Sequence, residues 1–133
     1  MSDHENAAPG TIAWHDLTVD DADGLRDFYA AVVGWTPEPV PMGDYSDYAM
    51  ATSDGTGVAG VCHAKGPNEG IPPQWLVYIT VENLEASLAE CQRLGGSLIH
   101  GPREIHGATF AVIQDPAGAV AGLYQTAPKA EDS

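Results

Sequence analysis

The 133-residue chain repeats its own pattern at a distance of 62 residues. Val19 falls on Val81, and the same shift pairs Thr18 with Thr80, Leu17 with Ile79 and Asp20 with Glu82. It also carries Val32 onto Leu94 and Gly34 onto Gly96. An alternating apolar run, an acidic residue, an amphipathic stretch and a glycine thus recur in order without a gap. A period this long leaves each repeat room for a helix and several strands, and it excludes a solenoid of short stacked units. The repeat predicts two tandem βαβββ modules.

The elements follow from local chemistry. "TIAWHDLTV", Thr11 to Val19, reads as a strand, and Asp20 and Asp21 after it are natural helix caps. Leu25, Phe28, Tyr29 and Val32 recur at helical spacing until Gly34 stops the helix. The stretch from Trp35 to Lys65 is rich in Pro, Gly and Tyr, and predicts up to three strands with a hairpin turn at "SDGTG". Pro37, Pro39 and Pro41 put the first of these strands at a sheet edge. In the second repeat "WLVYITV" is a strand, and Asn83 caps a helix carrying Leu84, Leu88, Cys91 and Leu94. Gly95 and Gly96 end it, and three short strands follow. The expected organisation is a flexible tail over 1–10, module one over 11–64, a linker over 65–74, module two over 75–125, and a second tail over 126–133.

Composition narrows the function classes. Five Lys and Arg against 19 Asp and Glu give a net charge of −14. Such a surface repels phosphate backbones, so nucleic acid is excluded as a partner. No apolar run approaches a membrane span and the start "MSDHENAAPG" is no signal peptide, so a cytoplasmic protein with no membrane partner is expected. Cys62 and Cys91 read as free thiols, because their number and spacing suit neither a disulfide framework nor a zinc knuckle. Neither a G-x-S-x-G elbow nor a phosphate-binding glycine loop nor C-x-x-C is present.

"LTVDDADGLRDFYAAVVGW" and "GATFAVIQDPAGAVAGLYQ" resemble the vicinal oxygen chelate superfamily of glyoxalase I, bleomycin-resistance proteins and extradiol dioxygenases. "WHDLTVDDADGLRDFYAAVVGWT", "VAGV" and "WLVYITVEN" resemble a glyoxalase-related branch of unassigned activity. The resemblance implies an α+β fold in which two βαβββ modules form a curved mixed-sheet half-barrel with helices outside. It also implies a divalent metal in catalytic members, held from strands one, four, five and eight. Matched residue by residue, those four positions fall at Trp14, Gly60, Leu76 and Gly122, none of which can bind a metal through its side chain. The small residues of the last strand, Gly122 above all, are then expected to leave open space where relatives place a metal carboxylate.

Side chains alternate across a strand. With Trp14 toward the cavity, Asp16 and Thr18 point there too, while His15, Leu17 and Val19 pack under the helices. The same count sends Leu76, Tyr78, Thr80, Val120, Gly122 and Tyr124 inward, and Cys62 with Gly60. The expected ligand-binding cavity is therefore lined by Trp14, Asp16, Thr18, Cys62, Leu76, Tyr78, Thr80, Gly122 and Tyr124. Asp16 is the candidate catalytic residue, an acid/base group in apolar surroundings. Its alternative is a structural carboxylate bonded to backbone or to Arg103. Tyr78 and Tyr124 either orient a ligand or serve as core aromatics. His15, His63, His100 and His106 read as structural or surface histidines, since parity and spacing fit no metal site. Arg103 and Glu104 are expected to be solvated.

The leading expectation is a protein that binds a small organic molecule without the family metal, its reaction unassigned, and that forms a homodimer. The alternatives are a metal-dependent lyase, isomerase or dioxygenase, and a scaffold or interaction module whose cavity is filled.

Overall fold

A computed structural model describes residues 8–105 and 107–126. His106 and most of the two expected tails therefore lie outside the described residues. Each repeat contains a strand, a helix and three further strands. The first is β1 (Ile12–Val19), α1 (Ala22–Val33), β2 (Thr36–Pro41), β3 (Ser46–Ala51) and β4 (Gly57–His63). The second is β5 (Trp75–Thr80), α2 (Leu84–Arg93), β6 (Ser97–Ile105), β7 (Ala108–Gln114) and β8 (Val120–Gln125). A single turn of 3-10 helix, Gly66–Asn68, lies between them. The chain is an α+β protein of two βαβββ modules.

By compactness the chain divides into two units. His15–Trp75 make one, and the described residues up to Trp14 and from Leu76 onward make the other. The break falls inside β1 because the chain just before it bonds to the second module. The Gly10 N–H donates to the Thr80 carbonyl at 2.7 Å, and the Thr80 N–H donates to the Thr11 carbonyl at 2.8 Å.

The first module orders its strands β2-β3-β4-β1, with β1 parallel to β4 and the other neighbours antiparallel. The second orders them β5-β8-β7-β6 on the same plan. The 62-residue shift extends to pairing register. Asp16 faces Gly60 and Thr18 faces Cys62, while Tyr78 faces Gly122 and Thr80 faces Tyr124.

Both helices begin as their sequences dictate. The Asp21 carboxylate accepts from the Gly24 N–H at 3.0 Å, and the Asn83 side chain accepts from the Ala86 N–H at 3.0 Å. Each satisfies a backbone donor that the first helical turn leaves orphaned. Gly34, at φ 89°, closes α1 in the left-handed conformation that glycine adopts freely. Ala22, Tyr48, Met50 and Val61 form the core beneath α1, with Val19, Leu25, Tyr29 and Trp35 packed against it. Beneath α2 lie Leu84, Ala111 and Leu123, with Ile79, Val81, Leu88 and Ile113.

Three sequence expectations change here. Phe28 and Val32 share helical spacing with Leu25 and Tyr29 but stay 52% and 64% exposed, because one strand layer covers only part of the helix circumference. His15 does not pack under α1; it is exposed, with Nδ1 3.4 Å from the Val58 carbonyl. Gly122 leaves no open space beside β5, for the ring of Tyr78 fills it. No helix among the described residues is long and apolar enough to cross a membrane.

Candidate functional site

Core contacts sort each strand of the second module into two faces. Ile79, Ala111, Ile113 and Leu123 pack toward α2, so alternation turns Tyr78, Thr80, Phe110, Val112, Gly122 and Tyr124 to the opposite face. Register then aligns them in two rows. Thr80 faces Tyr124, Tyr124 faces Phe110, and Phe110 faces Arg103. Tyr78 faces Gly122, Gly122 faces Val112, and Val112 faces His100.

These rows stack. Phe110 meets Tyr78 edge-on at 5.8 Å between ring centroids, and meets Tyr124 at 5.0 Å with tilted planes. The Arg103 guanidinium carbon stands 5.1 Å from the centre of the Phe110 ring. Cations favour that position because the ring face is electron-rich. Gly122 makes the arrangement possible, since any β-carbon there would overlap the Tyr78 ring. Tyr78 and Tyr124 are 2% and 5% exposed, whereas His100, Arg103 and Phe110 are half-buried.

Several polar atoms on this face have no hydrogen-bond partner among the described residues. They are Thr80 Oγ1, His100 Nδ1, and Arg103 Nε and Nη1, all shielded from solvent. A buried donor or acceptor left unpaired costs about 1–3 kcal/mol, so a water or ligand atom that paired with these would be favoured. The expectation that Arg103 is solvated fails for these two nitrogens, which are shielded where the guanidinium lies over the Phe110 ring. Glu104, one residue on, is exposed.

In the first module Asp16, Thr18, Gly60 and Cys62 lie on the face turned away from α1, with Thr18 buried and Asp16 and Cys62 half-buried. His63 lies on the helix side of β4. It is buried beside Asp47, with Nδ1 3.4 Å from Oδ1, and its Nε2 is 3.7 Å from Asp23 Oδ1. The Tyr48 hydroxyl donates to Asp23 at 2.6 Å and accepts from Arg26 at 2.9 Å. The bond to Asp23, with burial second, raises the Tyr48 pKa above its ordinary value. Sequence spacing does not reveal that Tyr48 and His63 both approach Asp23, because the three residues come from β3, β4 and α1.

The four positions that resemblance assigns to a metal do not fit one. Trp14 is half-buried, Leu76 is buried, and Gly60 and Gly122 have no side chain. None brings a lone-pair donor of the kind a divalent ion needs. Among the described residues no three His, Cys, Asp or Glu side chains are grouped to hold a metal.

The profile of the Glyoxalase/Bleomycin resistance protein/Dioxygenase superfamily matches residues 11–121. The chain belongs to this superfamily. CFP32 of Mycobacterium tuberculosis, whose name assigns it provisionally to the glyoxylases, is 32% identical over 121 residues, covering 90% of this chain and 46% of that protein. The anthracycline biosynthesis protein DnrV of Streptomyces peucetius is 32% identical over 131 residues, covering 89% of this chain and 48% of that protein. The chain thus spans about half the length of the curated relatives it matches. Solved structures share the fold at lower identity. Streptomyces coelicolor methylmalonyl-CoA epimerase, in complex with 2-nitronate-propionyl-CoA, has a TM-score of 0.52 at 16% identity, covering 91% of this chain and 100% of that one. A hypothetical protein of Bacillus halodurans has a TM-score of 0.55 at 13% identity, covering 92% and 99%.

Proposed function

We propose that this superfamily member binds a small organic molecule on the aromatic face of its second module, without the divalent metal of catalytic relatives. The observation that carries the reading is the stack of Tyr78, Phe110 and Tyr124 with shielded, unpartnered atoms of Thr80, His100 and Arg103 on the same face. A mostly apolar wall with a few polar anchors is the usual make-up of a small-molecule site. Metal-assisted chemistry would need donors at Trp14, Gly60, Leu76 and Gly122, and those side chains supply none. DnrV, named for anthracycline biosynthesis, supports a role in small-molecule chemistry. Asp16 remains the proposed acid/base group of the first module, and the reaction is unassigned. The proposal includes a homodimer, which sedimentation equilibrium showing one 13.9 kDa species at all concentrations would remove.

The test uses protein made without a histidine tag. Elemental analysis after dialysis should find no stoichiometric Zn, Ni, Mn or Fe, and a thermal-shift screen of small metabolites should give compounds that raise the melting temperature. About one metal per chain would sink the metal-free reading, because good donor sets hold metal through dialysis.

A second reading, a scaffold with a filled face, draws on the Tyr78 ring seated over Gly122. It predicts that no compound in the screen raises the melting temperature.

A further inference from the structure

We infer that Arg103 is the anchor for a carboxylate on the ligand, so that the molecule bound is a flat organic acid carrying a single negative charge. The inference rests on the small-molecule reading above and names its ligand class.

Charge partners make the case. The chain has five Lys and Arg in all against 19 acidic residues. Arg26 bonds to Asp27, with Nε to Oδ1 at 2.9 Å, and Arg93 bonds to Glu90, with Nη2 to Oε1 at 2.6 Å. Arg103 forms no ion pair with any described residue, although acidic groups outnumber it so heavily. Two of its nitrogens are shielded from water without an acceptor. Two shielded N–H donors without an acceptor are costly, and an anion that paired with them would be favourable.

Position decides what the anion is attached to. Arg103 sits over Phe110, and Phe110 continues into Tyr124 and Tyr78. A molecule reaching the guanidinium meets the half-buried ring of Phe110, which the buried Tyr124 and Tyr78 back, and that surface favours a flat, largely apolar frame. Thr80 Oγ1, at the far end of the same row, adds a hydroxyl and no charge. One cation balances one carboxylate. A phosphate ester would bring about two negative charges into a molecule of net charge −14 and find too few donors.

The probes are naphthoate, its neutral amide naphthamide, and naphthyl phosphate, titrated calorimetrically into the full chain. The parent should bind naphthoate more tightly than either of the others. Arg103→Gln should weaken naphthoate by about tenfold or more, the scale of a lost charge-assisted bond, and leave naphthamide unchanged. Arg103→Lys should recover part of the loss, because it restores charge without the planar fork. Melting temperature separates binding from folding. Arg103 loses no carboxylate partner on substitution, so Arg103→Gln should melt at or above the parent temperature. The inference is overturned if Arg103→Gln leaves naphthoate binding unchanged, if the amide or phosphate binds the parent as tightly, or if the variant melts well below the parent. Binding of neutral compounds alone overturns the carboxylate and leaves the small-molecule reading standing. A screen without any binder removes both.

Discussion

Gly122 and Tyr78 face each other across β8 and β5, and the Tyr78 ring occupies the volume where a side chain on Gly122 would begin. The glycine is therefore part of a packed pair. Gly122→Ala should destabilise the protein by about 1–3 kcal/mol, the usual cost of overpacking a filled site. Tyr78→Leu should recover part of that loss in the double variant, because contacting residues are energetically coupled. Denaturant titration of the four proteins measures the coupling. A Gly122→Ala variant as stable as the parent would mean that the ring readily vacates this position.

This pair shows where sequence reading ends. The repeat, both caps, the glycine stop of α1 and the proline edge were legible because each is local or strictly periodic. Face alternation was legible in the second module, where Ile79 and Leu123 pack toward α2, but strand position did not tell that α1 leaves His15 exposed. A glycine in a strand, however, makes room equally for a ligand or for a neighbour's ring. Only the register of β5 against β8 decides between them, and one strand's sequence does not contain it. Arg103 was hidden for a related reason. The pairing of β6 with β7 shifts between Leu98 and His100 and again between His100 and Arg103. Counting alternate residues through those irregularities does not tell which face Arg103 takes.

The repeat itself can be tested at its caps. Asp21 and Asn83 perform the same task at the same shift of 62 residues, each accepting from the N–H three residues on. Asp21→Ala and Asn83→Ala should each cost about 1 kcal/mol. Asn is the conservative rescue at the first cap and Asp at the second. Thermal unfolding of all four variants checks this, and equal stability of the alanine variants with the parent would contradict the caps.

Strand β2 is the outer strand of its module, and its prolines alternate at 37, 39 and 41. The Met42 N–H points inward, donating to the Tyr45 carbonyl at 2.8 Å. Backbone donors alternate in direction along an antiparallel strand. Thr36, Glu38 and Val40 therefore bond to β3, and the prolines lie where outward N–H groups would be. The open edge has few donors with which to recruit another strand. Pro37→Thr with Pro39→Thr should restore them and increase self-association by sedimentation velocity. An unchanged sedimentation profile would show that the edge is blunted by something other than proline. The proposed homodimer should then form away from β2, and survive a charge introduced by Val40→Lys.

Tyr48 links the helix side of the first sheet to pH. Its hydroxyl donates to Asp23, and this bond leads the causes that raise its pKa above the ordinary tyrosine value. Losing the proton would place a phenolate beside a carboxylate, and the nearby Arg26, 4.8 Å from its guanidinium carbon to the ring centre, offsets only part of that. Above the unfolded pKa of about 10, the unfolded chain releases the tyrosine proton while the folded chain keeps it. The folded state then holds more protons, so stability falls as pH rises and continues to fall until the folded pKa is passed. Below pH 10 this contribution is fully present. Tyr48→Phe removes the titrating group together with its bonds, so it should be less stable than the parent at neutral pH. The gap should narrow as pH rises past about 10. Urea midpoints measured from neutral to alkaline pH compare the two proteins directly. A gap that stays constant, or widens, would show that the Asp23 bond does not hold the phenolic proton.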